Sequence, residues 1–135
     1  MQAESAIIEK LRAASLRPTR QRVALARILF GSGDRHICAE ALLAEAEAAD
    51  VDVSLATVYN TLNQFEEAGI LRQVAIEGGK TFFDTNVSDH LHFFISGNNE
   101  LVDIAADDLK ITGLPALPAG TVLDRIDVIV RLKPA

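Results

Sequence analysis

The stretch "SLATVYNTLNQFEEAGI", residues 54–70, decides how the whole chain is read. Leu55, Val58, Leu62 and Phe65 recur at three- and four-residue intervals, the spacing of one helix face. Ser54 is placed to cap that helix, because its side-chain oxygen can accept from an otherwise unpaired N–H of the first turn. Gly69 is placed to end it, since glycine enters the left-handed conformation without steric cost. Ala56, Thr57, Asn60, Asn63 and Gln64 lie off the apolar stripe and form a small, polar, uncharged face. Such a face suits a helix in the major groove of DNA, where reach to base edges matters and bulk does not help.

Downstream, the period shortens. "ILRQVAI" (70–76) and "KTFFDT" (80–85) read as two short strands around "EGG" (77–79), a turn that glycine permits. Upstream, residues 4–14 read as a short helix with Ile7, Ile8 and Leu11 on one face, and "SLRPTRQR" interrupts it. Thr19 can cap a second helix carrying Val23, Ala26, Leu29 and Phe30, which "GSGD" ends. "CAEALLAEAEAAD" (38–50) is a third helix, and "VDV" (51–53) is a connector. Helices followed by a hairpin describe a winged helix-turn-helix.

From residue 90 the pattern is mostly strands: "HLHFFIS", "ELVDIA" and "DRIDVIVRL". The intervening "ADDLKITGLPALPAGTV" holds two prolines and two glycines, so a long helix is not expected there. The expected class is α+β, with a winged-helix DNA-binding domain over 1–84 and a small α/β dimerisation and regulatory domain over 85–135.

A chain of 135 residues is enough for one domain or two small ones. No apolar run approaches the ~18 residues of a membrane helix, and the start lacks the pattern of a signal peptide. A cytoplasmic protein with no membrane partner is expected. One cysteine, Cys38, rules out an intramolecular disulfide and a Cys-rich zinc cage; it reads as a small hydrophobe. The net charge of −6 argues against indiscriminate nucleic-acid binding, but it hides an asymmetry. From Lys10 to Arg35 there are seven basic residues and one acidic; from Asp84 onward there are four basic and eight acidic. The basic segment can neutralise phosphates beside the polar helix.

Together, "LRPTRQRVALARIL", "ICAEALL", "SLATVYNTLNQFEEAGIL", "EGGKTFFD" and the His-x-His that follows resemble the ferric uptake regulator superfamily, over about residues 11–105. The resemblance implies a homodimer reading an AT-rich inverted repeat in double-stranded operator DNA. It implies that Arg17 enters the minor groove, Arg22 holds a phosphate and Tyr59 touches thymine methyl groups or the backbone. The candidate DNA contacts are therefore Arg17, Arg20, Arg22, Ser54, Ala56, Thr57, Tyr59 and Asn60. The family usually has arginine where this chain has Asn60. It also carries pairs of cysteines for structural zinc, absent here, and a long helix where this chain has the Pro/Gly segment. Lys110 falls about where a second-site glutamate is expected. These departures, with "SDHLHFF" and the tail "RIDVIVRL", resemble the iron response regulator branch of alphaproteobacteria, which is linked to iron or haem status. That branch often has three consecutive histidines where this chain reads His90-Leu91-His92.

Side chains alternate on a strand, so His90 and His92 are expected on one face, with Leu91 toward the core. Two strand histidines by themselves are more often solvated than metal-bound. The wider set is His36, Asp84, His90, His92 and Asp103, three nitrogens and two oxygen donors. That mix suits Fe(II), Mn(II) or Zn(II) at one regulatory site and lacks the soft sulfur that selects Cu(I). The resemblance implies that these five positions are the family's regulatory site, with aspartate at 84 and 103 as in peroxide-sensing members. It also implies haem as a ligand of His90 or His92. Two functions compete: a metal- or haem-responsive transcription regulator, with a peroxide-sensing repressor as its variant, and a non-haem iron enzyme. No pocket for a substrate is legible, so an enzyme is not expected.

Overall fold

The computed structural model describes residues 4–76, 80–87, 91–98 and 100–135. The wing turn at 77–79 and His90 lie outside the described residues. The chain divides into two compact units, Met1–Val87 and Ser88–Ala135.

The first unit runs α1 (Glu4–Ala13), α2 (Arg20–Phe30), β1 (His36–Ile37), α3 (Ala39–Ala48), α4 (Leu55–Glu67), β2 (Arg72–Ile76) and β3 (Lys80–Asp84). Both expected caps form: the Thr19 side chain accepts from Arg22 N at 3.3 Å and the Ser54 side chain from Thr57 N at 3.1 Å. Ile7 and Leu11 of α1, Leu25 and Leu29 of α2, Leu42 of α3, and Val58, Leu62 and Phe65 of α4 are fully buried in one apolar cluster. Phe83 of β3 closes the same cluster. The stripe of α4 differs at its start. Leu55 lies in the first turn and is 38% exposed, while Thr61 completes the buried face.

Three of the four helix ends, those of α1, α3 and α4, follow one device. Leu16 N reaches Leu11 O at 2.8 Å, Val51 N reaches Ala46 O at 2.8 Å and Ile70 N reaches Phe65 O at 3.0 Å. Each is the six-to-one bond of a left-handed helix stop. The residue that must turn left-handed is Gly69 (φ 84°) after α4, as expected, but Ser15 (φ 60°) after α1 and Asp50 (φ 57°) after α3.

β2 and β3 form the antiparallel wing, and β1 adds a third strand in the order β1-β3-β2. β1 is two residues long, too short to show an alternating pattern in sequence.

The second unit holds β4 (Leu91–Ile95), β5 (Glu100–Ile104), a short 3₁₀ turn (Ala106–Asp108) and β6 (Ile129–Leu132), in sheet order β5-β4-β6. β4 pairs antiparallel with β5 and parallel with β6. A parallel neighbour needs a long crossover, usually helical. Here the crossover contains Pro115 and Pro118, and Gly113 and Gly120 at positive φ, and no α-helix forms among the described residues of this unit. The fold is therefore α+β, with the α-helices in the first unit and a strand-rich second unit.

Candidate metal ligands and nucleic-acid interface

Four of the eight expected DNA contacts, Arg17, Arg22, Thr57 and Asn60, line one groove of the first unit. Thr57, Asn60, Thr61 and Gln64 of α4 line a groove of about 470 Å³ with Arg17, Thr19, Gln21 and Arg22. Two of these side chains are joined. Arg22 donates from Nε (3.2 Å) and Nη2 (3.0 Å) to Gln64 Oε1, and from Nη1 to Arg17 O (3.0 Å). A guanidinium has five N–H groups, so two remain beyond these three bonds. Arg17, Arg20, Ala56 and Asn60 are exposed. Ser54 and Thr57 are partly engaged in the cap, with Ser54 Oγ donating to Thr57 Oγ1 at 3.0 Å. Tyr59 is 39% exposed and its hydroxyl donates to Glu40 Oε1 at 2.6 Å. That bond is the main cause that raises the Tyr59 phenol above its ordinary value, helped by nearby negative charge.

The metal-ligand candidates occur as two His–Asp pairs. In the first unit, β1 pairs with β3 so that His36 faces Asp84 across the strands. His36 Nε2 lies 3.2 Å from Asp84 Oδ2. Asp84 is 1% exposed, and its Oδ1 accepts from Asn86 N at 2.9 Å. In the second unit, β4 pairs with β5 so that His92 faces Asp103. His92 Nε2 lies 3.4 Å from Asp103 Oδ1. His92 is 4% exposed, so this strand histidine is not solvated; Leu91 beside it is buried as expected.

The donor set fits a first-row divalent cation. Both separations exceed the ~2.7–2.9 Å of a charge-assisted N–H···O bond. They match the ~3.0–3.5 Å between two donors that share one cation with bonds of ~2.0–2.2 Å. A cation in either pair would be held by an imidazole nitrogen and a carboxylate oxygen, with Lewis acidity and charge as its contribution.

The structure also shows supports that sequence reading missed. Thr85 N donates to Arg35 O (3.0 Å), and Arg35 N donates to Thr85 Oγ1 (2.9 Å). Arg35 Nη1 and Nη2 bind Glu45 Oε1 and Oε2 at 2.9 and 2.6 Å. Arg35 and Thr85 immediately flank His36 and Asp84, so the register of that pair is held from α3 as well as from the sheet. Glu40, Glu45 and Thr85 carry no local pattern that marks them, since their roles arise from partners distant in sequence.

A winged helix-turn-helix followed by a small strand-rich unit, with paired His and Asp donors, defines the class: a metal-responsive, DNA-binding transcription regulator. The ferric uptake regulator family profile matches residues 13–114, and the chain belongs to that family. It is 32% identical to the ferric uptake regulation protein of Shigella flexneri over 101 residues, 74% of this chain and 68% of that one. The fold is shared with the ferric uptake regulator of Vibrio cholerae, at TM-score 0.74 and 24% identity over 94% of this chain and 98% of that one. It is shared also with the ferric uptake regulator of Pseudomonas aeruginosa solved with manganese, at TM-score 0.71 and 24% identity over 98% of each chain. Members of this family regulate transcription and are not enzymes, which removes the non-haem iron enzyme from consideration. Among the described residues no helix is long and apolar enough to cross a membrane.

Proposed function

We propose that the protein is a cytoplasmic regulator of iron homeostasis that binds AT-rich operator DNA as a homodimer, and that one regulatory cation controls this binding. Residues 1–84 serve as the DNA-binding domain and 85–135 as the dimerisation and regulatory domain. Arg17, Arg20 and Arg22 meet the phosphates and the minor groove, while Ser54, Ala56, Thr57, Tyr59 and Asn60 face the major groove. His36, Asp84, His90, His92 and Asp103 hold Mn(II), Fe(II) or Zn(II) together. A ligand bound by both domains favours one relative orientation, and orientation sets the spacing of two recognition helices in a dimer.

The observation that carries this reading is the in-register pairing of His36 with Asp84 and of His92 with Asp103, each on its own sheet. Each pair sets an imidazole nitrogen beside a carboxylate oxygen, donors that suit a first-row divalent cation. The exposed apolar side chains Leu114, Leu117, Val122, Leu123 and Ile126 support a partner surface in the second unit. The single cysteine and the Pro/Gly crossover favour the iron response regulator branch, without structural cysteine-held zinc and with haem as a competitor for His90 or His92. Aspartate at both 84 and 103 favours a second reading, a peroxide-sensing repressor in which these residues would hold iron and peroxide, reduced to water there, would supply the oxygen atom added to a ligand histidine.

The test is operator binding by purified protein as apo, Mn(II), Fe(II) and haem forms, beside metal titration of His36→Ala, His90→Ala and His92→Ala. Each substitution is expected to weaken Mn(II) binding by at least about tenfold and to abolish its effect on DNA. Variants that bind Mn(II) like the parent place the site elsewhere. Peroxide treatment of the Fe(II) form separates the second reading: an oxygen atom added to a histidine-containing peptide supports it, and unmodified histidines eliminate it.

A further inference from the structure

Glu40 and Tyr59 meet across two helices of the first unit. Glu40 stands in the first turn of α3 and Tyr59 in α4, and the 2.6 Å bond from hydroxyl to carboxylate joins them. A distance of this kind belongs to charge-assisted O–H···O⁻ bonds, the strong class. The phenol is raised above its ordinary value chiefly by this bond, an independent sign that the hydroxyl is engaged. Both side chains are nevertheless exposed, and Tyr59 lies beside Asn60 and two residues from Thr57, which line the groove of the DNA-reading side. A phenol has one hydrogen to donate. Here that hydrogen is committed to a carboxylate of the same chain. Toward a phosphate oxygen or a base acceptor, Tyr59 offers no donor without first losing Glu40. What remains is the ring, with the hydroxyl oxygen as an acceptor only; the apolar group that a major groove displays to a ring is the C5-methyl of thymine.

We infer that Glu40 is a positioning residue that sets base preference: it tethers the Tyr59 ring so that Tyr59 selects thymine through its methyl group instead of donating a hydrogen bond to DNA. This rests on the reading of α4 as the DNA-reading helix. Glu40 has a second consequence. Its carboxylate is exposed and adjoins Tyr59, so, with α4 read as the DNA-reading helix, it opposes binding at sites whose contacts do not compensate, which is specificity by repulsion.

The experiment starts with wild-type protein in excess Mn(II), used to select duplexes from a random-sequence pool. The selected duplex is remade with deoxyuridine replacing thymidine at one position at a time, which removes only the methyl group. Wild type is expected to lose about fourfold in affinity at the position that Tyr59 reads, the worth of one buried methyl group. Glu40→Ala should lose that discrimination while gaining affinity for random duplex. Glu40→Gln retains an acceptor for the hydroxyl, so it should keep the discrimination and share the gain. A merely structural role would not separate these two variants. Tyr59→Phe keeps the ring and loses the tether, so it should lose the discrimination as Glu40→Ala does, without the gain for random duplex because Glu40 remains, and the double variant should discriminate no worse than either single one. Glu40→Ala that still discriminates thymine from deoxyuridine like wild type overturns the inference, as do additive effects in the double variant. If Glu40→Ala does not fold, Tyr59→Phe decides the matter on the same duplexes. Wild type that selects no sequence overturns the DNA reading of α4 and this inference with it.

Discussion

Tyr59 is the only tyrosine of the chain, and tryptophan is absent, so near-ultraviolet absorbance follows one phenol on α4. Glu40 favours the neutral phenol twice, by accepting its hydrogen and by repelling the phenolate. The folded value therefore lies above 10.0, the value of an unperturbed tyrosine. Whatever this bond adds to stability is fully present below that unperturbed value and is lost as pH rises through the raised folded value. Alkaline titration followed at the phenolate band should show a midpoint that falls when Glu40 is replaced by alanine. An unchanged midpoint would mean that the hydroxyl does not rest on Glu40 in solution. The same scale explains why some site residues were legible and others were not. Asp84 and Asp103 stood out beside histidines of metal-ligand type, whereas Glu40 looked like any other glutamate of an Ala/Glu-rich helix. Arg22 was legible as a cation, but its bonds to Gln64 and to Arg17 O depend on α2 lying against α4.

At the scale of elements, caps and stops carry information of unequal clarity. Thr19 and Ser54 precede apolar periodicity and could be read as caps, because the capping oxygen and its N–H are only three residues apart. Gly69 could be read as a stop because glycine is the residue that needs no sacrifice to turn left-handed. Asp50 performs the same task after α3 at a cost, since a Cβ is crowded in that conformation, although Asp tolerates it better than most. Replacing the exposed Asp50 by glycine should therefore raise stability by about 0.5–1 kcal/mol. Thermal unfolding of the variant is expected to shift upward by roughly 2–4 °C. A downward shift would show that the Asp50 side chain contributes more than its strain removes.

Across the whole molecule, apolar surface is distributed unevenly. Ile111, Leu114, Leu117, Val122, Leu123 and Ile126 are exposed along the crossover, with Val122 at 89%. By sequence alone, "LHFFI" (91–95) and "IDVIV" (126–130) are the apolar runs on offer for a dimer contact. Leu91 and Phe94 of the first run are buried and Ile126 of the second is exposed, and the exposed residues of the crossover make the larger reserve. If this reserve is the dimer surface, Val122→Asp with Leu123→Asp should weaken self-association by at least about tenfold, because each buried side chain of this size is worth ~1.5–3 kcal/mol. Sedimentation at micromolar concentrations checks this: wild type as dimer and the double variant as monomer is the expected result. Wild type that remains monomeric with and without Mn(II) removes the dimer from the proposal.

The sequence by itself determined what short-range physics controls. Helical periodicity, caps separated from their targets by three residues, the glycine stop after α4 and the strands of the wing all act within one turn or one hairpin, so each was legible without partners. The prolines at 115 and 118 likewise excluded a long helix from local backbone geometry. Only the tertiary structure decided what depends on register. β1 is two residues long and exists because β3 supplies its hydrogen bonds; that pairing, and not any local signal, sets His36 opposite Asp84. The alignment of β4 with β5 does the same for His92 and Asp103. Which carboxylate meets which arginine, phenol or imidazole is settled by packing between segments distant in the chain, and no pattern confined to one segment encodes it.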